Sequence, residues 1–131
     1  MGEKEKFDCL MTSVWKKLKK NFKTVTKRSK NKDNYTIIVE KKDKNVCYVI
    51  SITAKYDHNF MIITPERKSR KPYQSLRLNF KGKKVVKPQL ANSPIKEITL
   101  KNKIHRQMYI DVVTEILSLF QPNSIKFIEE I

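Results

Sequence analysis

Side chains that could perform catalysis or hold a metal are few and scattered in this sequence. His58 and His105 lie far apart, and neither has a cysteine, histidine or carboxylate at a metal-ligand spacing. Cys9 and Cys47 form no CxxC pair, so they indicate neither a zinc site nor a disulfide framework. The chain has only two glycines and no GxGxxG or GxxxxGK[ST] loop for phosphates. We therefore expect no catalytic residue, no metal and no cofactor.

Basic side chains are abundant and grouped, which makes anion binding the chemistry that the sequence favours. The chain has 29 Lys and Arg against 13 Asp and Glu, a formal net charge of +16. Nine of them lie in residues 9–32 with no acid, and nine more lie in residues 65–87 with Glu66 alone. This lack of compensating acids favours a binding surface over a merely solvated one. The candidate anion-binding residues are Lys16, Lys17, Lys19, Lys20, Lys23, Arg67, Lys68, Arg70, Lys71, Lys81, Lys83 and Lys84.

Two kinds of polyanionic partner fit this charge. Anionic phospholipids such as phosphatidylserine and phosphoinositides contribute about 1 kcal/mol per basic residue near the membrane, and RNA or DNA contributes through counterion release. Trp15, Tyr35, Tyr73 and Phe80 would stack on bases if they were exposed. Because the strands lack the aromatic-rich pattern of an RNA-recognition motif, we expect a membrane partner and keep nucleic acid as the alternative.

The first basic group is predicted to lie on a helix. Apolar residues recur at spacings of three and four from residue 7 to residue 22, as on one face of an amphipathic helix. These residues are Phe7, Leu10, Met11, Val14, Trp15, Leu18 and Phe22. The opposite face then carries Lys16, Lys17, Lys19, Lys20 and Lys23. Residues 24–34 lose the helical period and are predicted to be a charged loop or a frayed helix end.

The middle of the chain alternates with period two and predicts an antiparallel meander. The predicted strands are residues 35–40, 46–54, 59–64 and 73–80, with a short edge strand at 95–100. Residues 65–72 are predicted to form a basic connector. Gly82 is predicted to form a tight turn into Val85 and Val86, and residues 88–94 are predicted to form a loop.

A second amphipathic helix is predicted from about Asn102, and Pro122 is expected to end it. Its apolar stripe consists of Ile104, Met108, Val112, Val113, Ile116, Leu117 and Phe120. The fold class is therefore α+β, with a four- to five-stranded antiparallel sheet and N- and C-terminal amphipathic helices packed on one face. We expect one domain over residues 1–131, with a core at 7–120 and a tail at 121–131.

This layout of helix, four-stranded sheet, helix and dispersed basic surface resembles the kinase-associated-1 domain of microtubule-affinity-regulating and yeast septin-associated protein kinases. The resemblance covers residues 7–120 and lies in layout and charge. It implies a non-catalytic module at the C-terminus of a Ser/Thr kinase that binds anionic phospholipids. By position, the first-helix lysines, residues 67–71 and residues 81–84 would be the contact groups. The long lysine-rich connectors and the tail after Pro122 depart from the animal members of the family.

The expected partners and location follow from these interpretations. The partner is an anionic phospholipid surface, with a kinase domain in the same parent chain as a further partner. The location is then the cytoplasm and the inner face of the plasma membrane, or the bud neck for a septin-associated kinase. If the partner is RNA or DNA, the location is the nucleus. No apolar run approaches the length that spans a bilayer.

Overall fold

The computed structural model of this chain describes residues 2–31, 33–56, 60–65, 76–81, 84–90 and 102–120. Within these described residues, two helices flank six strands in sequence order. These elements are α1 (Glu3–Asn21), β1 (Thr24–Asn31), β2 (Asn34–Asp43), β3 (Val46–Lys55), β4 (Phe60–Thr64), β5 (Leu76–Lys81), β6 (Lys84–Leu90) and α2 (Lys103–Leu117). Residues 66–72 of the predicted connector, residues 73–75 of the predicted fourth strand and the predicted strand at 95–100 lie outside the described residues.

The six strands form one antiparallel sheet in the order β1-β2-β3-β4-β5-β6, so each strand pairs with its neighbour in the sequence. This confirms the α+β fold class with a meander between two helices. Two local predictions were wrong. Residues 24–31, expected as a loop or frayed helix, form edge strand β1 paired with β2. Residues 88–90, expected as a loop, belong to edge strand β6, where proline is tolerated because the outer edge needs no N–H donor.

One face of the sheet is apolar and carries both helices. The pairings Ile37↔Ile52, Ile52↔Ile63 and Ile63↔Leu76 align one row of buried side chains across four strands. Cross-strand partners share a face because side chains alternate along each strand. The helices cover this row, and the burial of its apolar surface drives folding.

Helix α1 packs on this face through the predicted stripe. Phe7, Leu10, Met11, Val14 and Leu18 are buried, while Trp15 and Phe22 pack against the core from its border. Near the beginning of the helix, the Tyr35 hydroxyl donates to Asp8 Oδ1 at 2.7 Å, and Lys4 pairs with Asp33. These contacts fix the start of α1 near the start of β2.

Helix α2 begins with a side-chain cap that also contacts the sheet. Asn102 Oδ1 accepts hydrogen bonds from the backbone N–H groups of Ile104 and His105 at 2.9 and 3.1 Å. Its Nδ2 donates to the Tyr48 hydroxyl at 3.1 Å. His105 Nε2 lies 3.0 Å from the Val49 carbonyl oxygen. The start of α2 is therefore fixed against the start of β3, and His105 has the helix-start position that was predicted.

The two helices run in opposite directions across the sheet. Phe80 stacks on Phe7 near the start of α1, with ring centroids 6.4 Å apart. It also contacts Phe120 just beyond the end of α2, at 6.2 Å. Helix α2 ends at Leu117, five residues before Pro122, so the helix stops without proline. Ile104, assigned to the buried stripe, is instead 36% exposed.

Candidate anion-binding surface

The exposed side of α1 carries most of the lysines that were predicted for it. Lys16, Lys19 and Lys20 are exposed on the helix, and Lys23 is exposed two residues beyond its end. They occupy this side because the apolar stripe at spacings of three and four turns toward the core. Lys16 and Lys20 are four residues apart and therefore project from the same side of the helix. Four of the five lysines predicted for the polar side are thus exposed, and their role in anion binding stays a prediction.

Trp15 joins this helix surface to strand β1. Lys19 Nζ lies 4.4 Å from the centroid of the Trp15 ring, and Lys27 Nζ of β1 lies 4.8 Å from it. The indole Nε1–H donates to the Val25 carbonyl at 3.4 Å. An exposed cation–π contact contributes about 0.5–1 kcal/mol, so the ring offsets part of the repulsion between two cations. We call Lys16, Lys19, Lys20, Lys23 and Lys27 the α1–β1 basic face.

Lys17 belongs to a different environment from its neighbours. Its Nζ lies 4.0 Å from Glu115 Oε2 of α2, and its side chain is partly buried between the helices. Within the described part of the chain, no such carboxylate partner is found for Lys16, Lys19, Lys20 or Lys23. Lys17 is therefore a helix-to-helix contact, which sequence position alone did not distinguish from the surface lysines. An exposed pair of this kind contributes no more than about 1 kcal/mol.

A cleft of about 860 Å³ opens between the end of α1, the end of β2 and the middle of α2. Its lining mixes cations and carboxylates, namely Asn21, Phe22, Lys23, Thr24, Glu40, Lys41, Lys42, Asp111, Thr114 and Glu115. Asp111 also accepts from Gln107 Nε2 at 2.8 Å. The antiparallel helix packing brings Asp111 and Glu115 of α2 into the same cleft as Lys23.

The remaining predicted clusters are separated from the α1–β1 basic face or fall outside the described residues. Arg67, Lys68, Arg70, Lys71 and Lys83 are not among the described residues. Lys81 and Lys84 pair across β5 and β6. Those strands form the opposite edge of the sheet from β1. The structure therefore does not bring the Lys81–Lys84 positions together with the α1–β1 basic face.

Several basic residues beside α1 were missed by the sequence analysis. Lys27 was predicted to lie in a charged loop or a frayed helix end, and the exposed Lys41, Lys42 and Lys44 were not among the candidate anion-binding residues. Val25 and Thr26 did indicate that Lys27 lies on a strand, because a β-branched pair within a basic run is typical of an edge strand. The contact between Lys27 and Trp15 is tertiary and has no local signal.

Tyr35 and Phe80, two of the aromatic residues considered for base stacking, are on the helix-bearing side of the sheet. Phe80 is buried, and Tyr35 is half-buried with its ring centroid 5.5 Å from that of Phe7. Tyr73 lies outside the described residues. On the other face, the Arg77 guanidinium lies 4.4 Å from the centroid of the half-buried Phe60 ring. The described structure thus offers no row of exposed aromatic rings on which successive bases could stack.

No group of three or more His, Cys, Asp and Glu in the described part of the chain could hold a metal ion. Neither described helix is long and apolar enough to cross a bilayer. Both cysteines are exposed free thiols.

The fold and surface together define a class of small α+β domain with a lysine-rich face on its first helix and the adjoining edge strand. No family model matches the chain, and neither a curated protein nor a solved structure was found to match it. The kinase-associated-1 resemblance stays a prediction, and the six-stranded sheet exceeds by two strands the layout on which it was based.

Proposed function

We propose that this chain is a non-catalytic domain that binds anionic phospholipid membranes, including phosphatidylserine and phosphoinositides, through its basic surface. The observation that carries the proposal is the α1–β1 basic face, where the exposed lysines near the end of α1 lie beside the half-buried Lys27 of the edge strand, which shares the Trp15 ring with Lys19.

The energetics of such binding are additive and electrostatic. Each lysine near an anionic leaflet contributes about 1 kcal/mol. Five lysines therefore supply a useful recruitment energy even after the costs of association. The attraction acts over a Debye length of about 8 Å at physiological ionic strength, so it weakens as salt is added. Charge density, more than one headgroup shape, would set the affinity of this face.

Nucleic acid is the less favoured partner. The same lysines would contact phosphates, but Phe80 and Tyr35 lie on the helix side of the sheet and offer no stacking surface to bases. A membrane partner places the domain at the inner face of the plasma membrane. Attachment to a Ser/Thr kinase in a longer parent chain is a separate proposal that rests on the kinase-associated-1 resemblance.

Two charge-matched double variants test the proposal. Lys16→Glu with Lys20→Glu changes the α1–β1 basic face, whereas Lys6→Glu with Lys55→Glu makes the same change in net charge at exposed positions outside it. We expect the first variant to bind phosphatidylserine vesicles at least about tenfold more weakly, because four units of charge change at the contact, and the second to lose much less. Equal losses would contradict a defined face, since net charge alone would then determine binding.

A further inference from the structure

Two exposed apolar side chains lie at one end of the molecule. Val46 is 50% exposed and Ile104 is 36% exposed, and among the described residues these are the exposed large hydrophobic side chains. Val46 begins β3 directly after the β2–β3 turn, and Ile104 is the second residue of α2. The hydrogen bond from Asn102 to Tyr48 brings the start of α2 to the start of β3. Val46 and Ile104 therefore belong to the same end.

This end is also rich in exposed cations. Its exposed basic residues are Lys41, Lys42 and Lys44 of the hairpin and Lys103 and Arg106 of α2. Lys44 occupies the turn with φ 58°, a left-handed conformation in which glycine or asparagine is favoured. Asp43 is a half-buried acid beside them. We call Val46, Ile104 and these five basic residues the hairpin end.

The hairpin end adjoins the α1–β1 basic face. Lys23 and Thr24 line the same cleft as Lys41 and Lys42, so the end of α1 and the end of β2 are neighbours. The start of α1 lies at the other end, where Tyr35 contacts Asp8. Cations from three elements that are distant in the sequence thus converge on one end of the molecule.

We propose that the hairpin end inserts into the membrane interface, with Val46 and Ile104 below the headgroups and the surrounding Lys and Arg at the level of the phosphates. The inference rests on the proposed membrane function and adds the orientation and the inserting residues. One exposed apolar residue is ordinary on a protein surface. Two of them within a group of cations match the chemistry of a bilayer interface, which combines buried apolar area with anionic headgroups. Phosphate contacts with RNA or DNA would make no use of the apolar pair.

The two free cysteines allow insertion to be measured at both ends of the molecule. Cys47 follows Val46 directly, whereas Cys9 follows Asp8, the residue that contacts Tyr35 at the other end, and both thiols are exposed. One protein carries a polarity-sensitive fluorophore on Cys47 with Cys9→Ser, and the other carries it on Cys9 with Cys47→Ser. Each is mixed with phosphatidylcholine vesicles that contain or lack phosphatidylserine.

The expected result is a blue shift and quenching by brominated lipid for the Cys47 label, but not for the Cys9 label, with the anionic vesicles. Sedimentation with vesicles but no response from the Cys47 label, or an equal response from both labels, would overturn the insertion and leave the proposed function standing. Failure to sediment with anionic vesicles would instead overturn the proposed function, and the insertion with it.

Uncharged substitutions separate insertion from charge. Val46→Asn with Ile104→Asn should weaken vesicle binding by roughly tenfold, since little apolar area would enter the interface. Val46→Leu with Ile104→Leu is the matched control and should retain the affinity. RNA binding and the unfolding transition should be unchanged in both. Unchanged vesicle binding by the asparagine variant would contradict the proposal.

Discussion

Tyr109 connects α2 to the sheet at the place where β4 and β5 meet. Its hydroxyl donates to the Ile63 carbonyl at 2.8 Å and accepts from the Leu76 N–H at 3.1 Å, and the side chain is buried. Burial raises the pKa of the Tyr109 phenol above its usual value, so the donor proton is retained. Tyr109 was not predicted as a core residue, because the apolar stripe predicted for this helix did not include tyrosine.

Tyr109→Phe should lower the free energy of unfolding by about 1–3 kcal/mol, because a buried carbonyl and a buried amide lose their shared partner. Urea unfolding measures the change. Tyr56→Phe is the matched control, since the Tyr56 hydroxyl has no hydrogen bond within the described residues and should change stability by less than about 0.5 kcal/mol. Similar losses in the two variants would show that the Tyr109 hydroxyl has no special role.

Tyr35 provides a prediction about pH. Burial, followed by the hydrogen bond to Asp8 and the negative charge of Asp8, raises the pKa of Tyr35 from 10.0 to about 12. Since folding raises this pKa, the neutral phenol contributes stability that is complete below pH 10 and is lost as the pH rises through 12. Asp8→Asn should lower the pKa of Tyr35 while leaving it above 10, because burial is the larger cause.

The titration of Tyr35 can be followed by NMR of its ring carbons. Asp111→Asn is the control, because it makes the same change of charge at a carboxylate that is hydrogen-bonded to Gln107 on α2. A pKa that is the same in Asp8→Asn and wild type would mean that the contact with Asp8 contributes nothing in solution.

At the scale of elements, the start of α2 depends on one cap that also contacts a strand. Asn102→Ala removes two hydrogen bonds to backbone N–H groups and one to the Tyr48 hydroxyl. We expect a loss of about 1–2 kcal/mol in the free energy of unfolding. Asn102→Asp keeps the cap acceptor and removes the amide donor, so thermal unfolding should show a smaller loss. An alanine variant as stable as the aspartate variant would contradict this account of the cap.

Periodicity predicted the elements where burial is strong and failed where it is weak. Helix α1 and strands β2 to β5 have regular apolar spacing because each presents one face to the core. Strand β1 has a single partly buried valine, Val25, among polar and basic residues, so its local signal is limited to the β-branched pair Val25 and Thr26 and its pairing with β2 is a tertiary event. Pro88 resembled a loop residue for a similar reason, because an edge strand tolerates a missing donor.

The candidate surface was predictable only in part. Lys16, Lys19, Lys20 and Lys23 follow from the helical period, since they lie opposite an apolar stripe. Lys17 could not be separated from them, because its partner Glu115 is on a helix almost a hundred residues later in the chain. Lys27 and the hairpin lysines lie near the first-helix lysines only because of the tertiary packing. The exposure of Ile104 also depends on this packing, so it could not be predicted from the position of Ile104 in the apolar stripe.

At the scale of the whole molecule, the central question is whether the net charge of +16 binds the protein to membranes. Two groups of basic residues lie next to each other in the structure, namely the α1–β1 basic face and the hairpin end. Together they would let one end and one side of the domain meet the same anionic surface. Such binding must weaken as salt screens it, with a residual part from apolar insertion that salt does not remove.

Co-sedimentation with vesicles tests the membrane function most directly. Wild-type protein is mixed with neutral vesicles or with vesicles containing about one-fifth phosphatidylserine, at low and high salt, with and without excess single-stranded RNA. We expect binding that requires the anionic lipid, falls steeply with salt and persists in the presence of RNA. No sedimentation with anionic vesicles, or complete loss of binding at a low RNA concentration, would contradict the membrane function and favour nucleic acid.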